Sequence, residues 1–149
     1  MGEFIMVVVA GCIVRKGNKI LMVKEAKKKC YGQWNYPAGR VEEFEKITDA
    51  AKREVFEETG CKVKLTGVLP ILNDEATILF KFTADIVEEN IVFDTNEILD
   101  VQWIDIDTIK NMAREELRAY DTNITYLKAL EENKIFPLEI FDDKKYLGK

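Results

Sequence analysis

Residues 39–61, GRVEEFEKITDAAKREVFEETGC, decide how this chain is read. Their second half has helical spacing. The helix starts near Ile47, puts Thr48 and Asp49 in its first turn, and stops at Gly60, a residue type suited to the position just past a helix end. At about 100° per residue, Ile47, Ala50, Ala51 and Val55 share the side that should meet a core. Glu54, Glu57 and Glu58 fall on that same side, while Lys52 and Phe56 point away. Two ionised carboxylates ~5 Å apart repel by about 3 kcal/mol even at an effective dielectric constant near 20. Three of them on the core-facing stripe of a helix therefore need a compensating charge, and a divalent cation is the obvious candidate. A plain surface helix with i,i+4 pairs such as Arg53–Glu57 would not place carboxylates on its apolar side.

The kind of metal follows from composition. The chain has no histidine, and Cys12, Cys30 and Cys61 are scattered singly, which argues against a zinc site of nitrogen and sulfur ligands. Ligation by carboxylates, a carbonyl and water suits Mg²⁺, with Mn²⁺ as the alternative. Mg²⁺ held by few carboxylates completes its shell with water and phosphate oxygens, so the helix already points to phosphate chemistry.

The spacing of Gly39, Glu45, Arg53-Glu54-Val55, Glu57-Glu58 and Gly60 resembles the Nudix box position for position. Cys61 stands where that motif has a bulky aliphatic residue, a departure that touches packing more than chemistry. The flanking residues fit as well. Trp34-Asn35 and Pro37-Ala38-Gly39 are similar to the segment that leads into the box, with Ala38 where many members have a second glycine. Glu97 followed by Trp103 is similar to a late acidic loop and tryptophan. The combination of Trp34-Asn35 and Pro37-Ala38-Gly39 with the apolar tail of residues 134–141 (KIFPLEIF) also resembles one bacterial branch. That branch comprises phosphatases of nucleoside di- and triphosphates and of the pyrimidine diphosphate precursor of thiamine.

The resemblance implies an α/β fold, an α/β/α sandwich whose mixed sheet carries a loop–helix–loop catalytic motif. It implies hydrolysis of a phosphoanhydride by water attack on phosphorus. Glu54, Glu57 and Glu58 would hold Mg²⁺, the Gly39 carbonyl would add a ligand, and Glu45 would act through the outer shell. Arg53 would fix the carboxylates, and Glu54 is assigned as the base, with Glu97 the rival from the late loop. Arg40, Trp34 and Tyr36 are candidate substrate contacts, Trp34 being equally readable as core filler. The alternatives are an ADP-ribose or other nucleotide-sugar or dinucleotide pyrophosphatase, and a nucleotide-binding sensor without turnover. The intact box speaks against the sensor.

The remaining residues are consistent with this reading. A chain of 149 residues is expected to form one domain, residues 1–149, with a substantial core. Its net charge of −5, with acids and bases interspersed, does not indicate a nucleic-acid groove. The apolar run of residues 4–10 lacks a basic start and reads as a strand, not a signal peptide, and no segment is long enough to cross a membrane. Three unpaired cysteines suggest reduced thiols in a cytoplasm. Nothing points to a particular oligomeric state.

Taken in order, residues 4–14 should be a strand, Lys16-Gly17-Asn18 its turn, and residues 19–23 the hairpin partner. Residues 24–30 (KEAKKKC) form a basic loop, able to attract a polyphosphate or simply solvated. Residues 62–69 and 77–86 follow as strands, 88–100 as an acidic loop and 101–104 as a short strand. Asp105 to Asp107 should open a helix, residues 109–117 and 122–130 should be helical, and the tail should fold back on the domain.

Overall fold

The computed structural model describes residues 2–141. The first hairpin is formed by β1 (Val7–Lys16) and β2 (Lys19–Glu25), and it is a fork. The two strands pair only next to the turn, at Arg15↔Ile20 and Lys16↔Lys19. Beyond that point they part, and each takes other partners. β3 (Trp34–Asn35) pairs with β2, and β4 (Ala38–Arg40) pairs with β1. Tyr36-Pro37 carries the chain between the two branches, and Pro37, with no N–H to donate, suits that break in pairing. This crossing delivers Gly39 to the fork beside the box helix α1 (Ile47–Thr59).

The rest of the sheet is β5 (Lys62–Val68), β6 (Leu72–Asn73), β7 (Thr77–Glu88) and β8 (Ile98–Asp105). β7 runs parallel to β1 over Val7↔Thr77 to Val14↔Ala84, while β5 and β6 pair antiparallel with β7 and β8 antiparallel with β2. The sheet is therefore mixed. Side chains alternate across it with period two. Ala10, Cys12 and Val14 of β1 and Leu21 and Val23 of β2 meet Ala50, Ala51 and Val55 of α1 on one face. Ile13, Ile20 and Met22 point to the other face, where α2 (Ile106–Lys110) supplies Ile109 and α3 (Tyr120–Glu131) supplies Tyr126, Leu127 and Leu130. Helices cover both faces, which is the expected α/β/α sandwich.

Several boundaries differ from expectation. β1 begins at Val7, and Phe4, Ile5 and Met6 are exposed, because its parallel partner β7 begins opposite Val7 at Thr77. β2 continues to Glu25, taking two residues from the basic loop, and β8 starts at Ile98, three residues earlier than expected. The helix expected over residues 109–117 is absent. After Lys110 the chain leaves the helix, the Ala113 N–H donates to Glu116 Oε1, and Leu117 pairs with Trp34. Trp34 N–H donates to Glu116 O and Arg118 N–H to Trp34 O, so the sheet edge satisfies backbone groups that a helix would have satisfied internally. The tail folds back as expected, with the Phe141 ring 5.7 Å from Phe80 and 5.2 Å from Phe82.

Candidate active site

α1 ends as its sequence requires. Gly60 adopts φ 81°, and its N–H donates to Phe56 O. Ala50, Ala51 and Val55 are fully buried, and Glu54 joins them at 9% exposure. Glu58 is half-buried. Glu57 departs from the expected stripe: its side chain is 54% exposed and sits at the solvent margin of the same side. One turn of the helix thus spans a gradient from buried to wet.

Arg53 organises the outer half of this gradient. Its Nε and Nη2 donate to both oxygens of Glu45, at 2.6 and 3.0 Å. Nη1 donates to Glu54 Oε1 at 2.8 Å and to Glu57 Oε2 at 3.0 Å, and Nη2 also reaches the Arg40 carbonyl at 3.0 Å. A planar fork with five donors is the group able to serve loop and helix at once. Its bonds hold the Glu45 carboxyl below the ordinary glutamate range, and the carboxylates in turn raise the Arg53 pKa. Both Glu45 oxygens are engaged by Arg53.

The inner half lacks such a cation. Burial, then the charges of Glu54 and Glu25, push the Glu58 carboxyl well above its ordinary range, where the protonated form donates to Glu54. Two carboxylates in that contact need a proton or a metal ion between them. Gly39 closes the arrangement, since a Cβ there would land on the Glu54 carboxylate. These observations fit a hard divalent cation held by oxygen. No three Asp, Glu, Cys or His side chains among the described residues converge on one point, so backbone, water and phosphate oxygens must complete any shell.

Glu25 belongs to this cluster and was hidden within the basic loop. It is 3% exposed, accepts from Arg118 Nη1 at 2.8 Å and from Cys30 Sγ at 3.4 Å, and raises the Glu58 pKa through space. Its signal was available. Leu21, Val23 and Glu25 alternate on one face of β2, so a carboxylate ends a buried apolar row. Glu97, the rival base, is exposed. Its backbone is tied beside the cluster, the Ala26 N–H donating to Glu97 O at 3.1 Å.

On the α3 face lies a cleft of about 520 Å³, a volume typical of small-molecule sites. Gly39 lines it and so joins it to the acidic cluster. Lys27, Lys29, Arg40, Lys81 and Arg118 make its lining cationic. Of the residues named as candidate substrate contacts, Arg40 lines the cleft and is exposed, whereas Tyr36 is not in the lining. Its ring is completely buried below the cleft, and its hydroxyl donates to Asn123 O at 3.0 Å. Trp34 is half-buried against the α3-side core, with Lys24 Nζ 5.7 Å from its ring, and its backbone seats the segment that delivers Arg118. Lys81, Arg118 and Asn123 come from distant parts of the chain, and no local spacing marked them.

Comparison with known proteins agrees with this geometry. The NUDIX domain family model matches residues 6–126. The chain is 51% identical over 53 residues to the 8-oxo-dGDP phosphatase NUDT18 of Danio rerio, covering 36% of this chain and 16% of that protein. It is 32% identical over 115 residues to putative nudix hydrolase 1 of Caenorhabditis elegans, covering 72% of this chain and 32% of that protein. The chain thus spans at most about a third of either relative's length. Among solved structures, a NUDIX hydrolase from Nitrosomonas europaea superposes with a TM-score of 0.83 at 24% identity, over 93% of this chain and 97% of that one, which shows the shared fold. Among the described residues no helix is long and apolar enough to cross a membrane. The loop–helix–loop with its acidic cluster, the sheet between helices and the match over residues 6–126 place this chain in the Nudix family.

Proposed function

We propose that this chain, acting as one domain, hydrolyses a phosphoanhydride bond of a nucleoside di- or triphosphate with the help of Mg²⁺. The observation that carries this reading is the meeting, at Gly39, of a carboxylate cluster short of a cation with a cationic cleft short of an anion. A metal–nucleotide complex satisfies both. The likeness to an 8-oxo-dGDP phosphatase favours a nucleoside diphosphate over a dinucleotide or nucleotide sugar.

Glu54, Glu58 and the Gly39 carbonyl are the groups that would hold the cation, with Glu57 joining from the solvent side. When bound, the ion supplies neutralisation of phosphate charge and a more acidic water. Lys27, Lys29, Arg40 and Arg118 orient the phosphates. Arg53 holds Glu54 and Glu57 in place while Glu45 anchors Arg53 to the loop. Water attacks phosphorus, the bridging P–O bond breaks toward the leaving phosphate or nucleotide, and the water's proton passes to Glu54. The three buried, unpaired thiols fit a reducing cytoplasm.

The test is product release from a panel of nucleoside di- and triphosphates, ADP-ribose and a pyrimidine diphosphate of the thiamine type. Mg²⁺ or Mn²⁺ is expected to support turnover of at least one nucleoside polyphosphate, EDTA to abolish it and Zn²⁺ to substitute poorly. Turnover that survives exhaustive chelation, or confined to ADP-ribose, would contradict the reading.

A further inference from the structure

Alternation along β7 turns Thr77, Leu79 and Lys81 to the α3 face, in register with Val7, Val9 and Gly11 of β1. The row leads inward from Val7 and Thr77 to Gly11 and Lys81, where β4 places Ala38 opposite Gly11. Lys81 is only 4% exposed, yet it lines the cleft. Its ammonium forms no hydrogen bond or ion pair among the described residues. It rests instead 5.5 Å from the Tyr36 ring and 5.4 Å from the Tyr126 ring. The Tyr126 hydroxyl is likewise buried without a partner among the described residues.

A buried cation without a hydrogen-bonded partner is costly; the two aromatic rings, and the charge of Glu58 acting through space, offset part of that cost. Desolvation lowers the Lys81 pKa to about 8, so it remains mainly protonated at neutral pH. The exposed cations Lys27, Lys29 and Arg40 already supply charge for phosphates. Lys81 is buried where they are exposed, with Val9 and Leu79 next in its row and Asn35 and Asn123, whose amides are bonded to each other, lining the same cleft. An apolar row suits the flat face of a nucleobase better than a hydrated phosphate. An ammonium has donors and no acceptor, so it pairs with a keto oxygen and rejects an exocyclic amine.

We propose that Lys81 determines base specificity by donating to the 6-oxo oxygen of a purine, favouring oxo-purine nucleotides over adenine nucleotides. This rests on the nucleotide-hydrolase reading given above. Inosine and adenosine diphosphates isolate the effect, because hypoxanthine differs from adenine in the 6-oxo edge alone. The experiment measures kcat/KM for both, together with the Kd of IMP and AMP without metal. Wild type is expected to favour the inosine compounds by about 10- to 100-fold, the range of a mismatched buried hydrogen bond. Lys81→Met should bring that ratio near one. Lys81→Gln, whose amide both donates and accepts, should fall between them and carries the test should Lys81→Met not fold. Because Lys81→Met removes an unpaired buried cation, its melting temperature is expected to equal or exceed that of wild type.

A wild type without the preference, or a Lys81→Met that keeps it, overturns the proposal. Equal weakening of both diphosphates and of inorganic pyrophosphate also overturns it and assigns Lys81 to phosphate. If no nucleoside diphosphate is hydrolysed, the functional reading fails, and the IMP and AMP affinities still decide the role of Lys81.

Discussion

The acidic cluster at α1 and the cationic cleft below α3 touch at Gly39 and are built in opposite ways. Most of the carboxylates come from one short stretch of chain, and Arg53 compensates those on the outside while Glu58 is left against Glu54. The cleft draws its cations from residues 27, 29, 40, 81 and 118, compensates Arg118 through Glu25, and leaves Lys81 against the Tyr36 and Tyr126 rings without a hydrogen bond or ion pair among the described residues. Each side keeps one charged group without an ion pair among the described residues, Glu58 and Lys81, and these two attract each other only through space. The two deficits have opposite sign and adjoin, which is what a cation–phosphate ligand needs.

The acidic cluster is most vulnerable at Arg53. Arg53→Ala leaves Glu45, Glu54 and Glu57 without their shared partner. Removing one member of a partly buried charge network is expected to cost about 2–4 kcal/mol of stability. Misplaced carboxylates should lower kcat by about 10²-fold or more at saturating Mg²⁺. Denaturant melts and steady-state rates check both. A stable, active Arg53→Ala would show that the cluster orders itself without compensation.

Glu58 should show a smaller effect. Its folded pKa lies above the ordinary value of 4.5. Within that window the folded chain holds more protons than the unfolded one, so Glu58's contribution to stability is present at low pH and is lost as pH rises above 4.5. Wild type in EDTA should therefore lose melting temperature on going toward neutral pH relative to Glu58→Gln, and Mg²⁺ should restore wild type more than the variant. Parallel pH profiles for the two proteins would mean that Glu58 has a partner after all.

The two sides also differ in how far the sequence revealed them. α1 was readable to its termini because spacing, a closing glycine and the misplaced carboxylates all lie within residues 39–61. Glu25 was hidden because lysines crowd the segment after it, although its place in the β2 alternation marked it as buried. The cleft could not be read locally. Lys81 gains its surroundings only when β7 pairs with β1, and Arg118 only when residues 116–118 bond to Trp34. That same pairing defeated the helix expected over 109–117, where local propensity gave way to a tertiary backbone partner. Tyr36, named for substrate because it adjoins the box, proved to be the cleft's underlying support.

The assignment of Glu54 is tested most directly by kcat for Glu54→Gln and Glu97→Gln at saturating Mg²⁺ on a substrate the wild type hydrolyses. Glu54 lies centrally on the carboxylate side, about 40° from Glu58 and about 60° from Glu57 around the helix. It is also the most buried of the three and borders Gly39. Replacing it by glutamine keeps its shape and removes its charge and proton affinity, so turnover should fall by at least the roughly 10²–10⁴-fold typical of a lost general base. Glu97→Gln, exposed on the late loop, should cost much less. A near-normal Glu54→Gln beside a crippled Glu97→Gln would contradict the account, moving the base to the late loop and leaving α1 to hold metal alone.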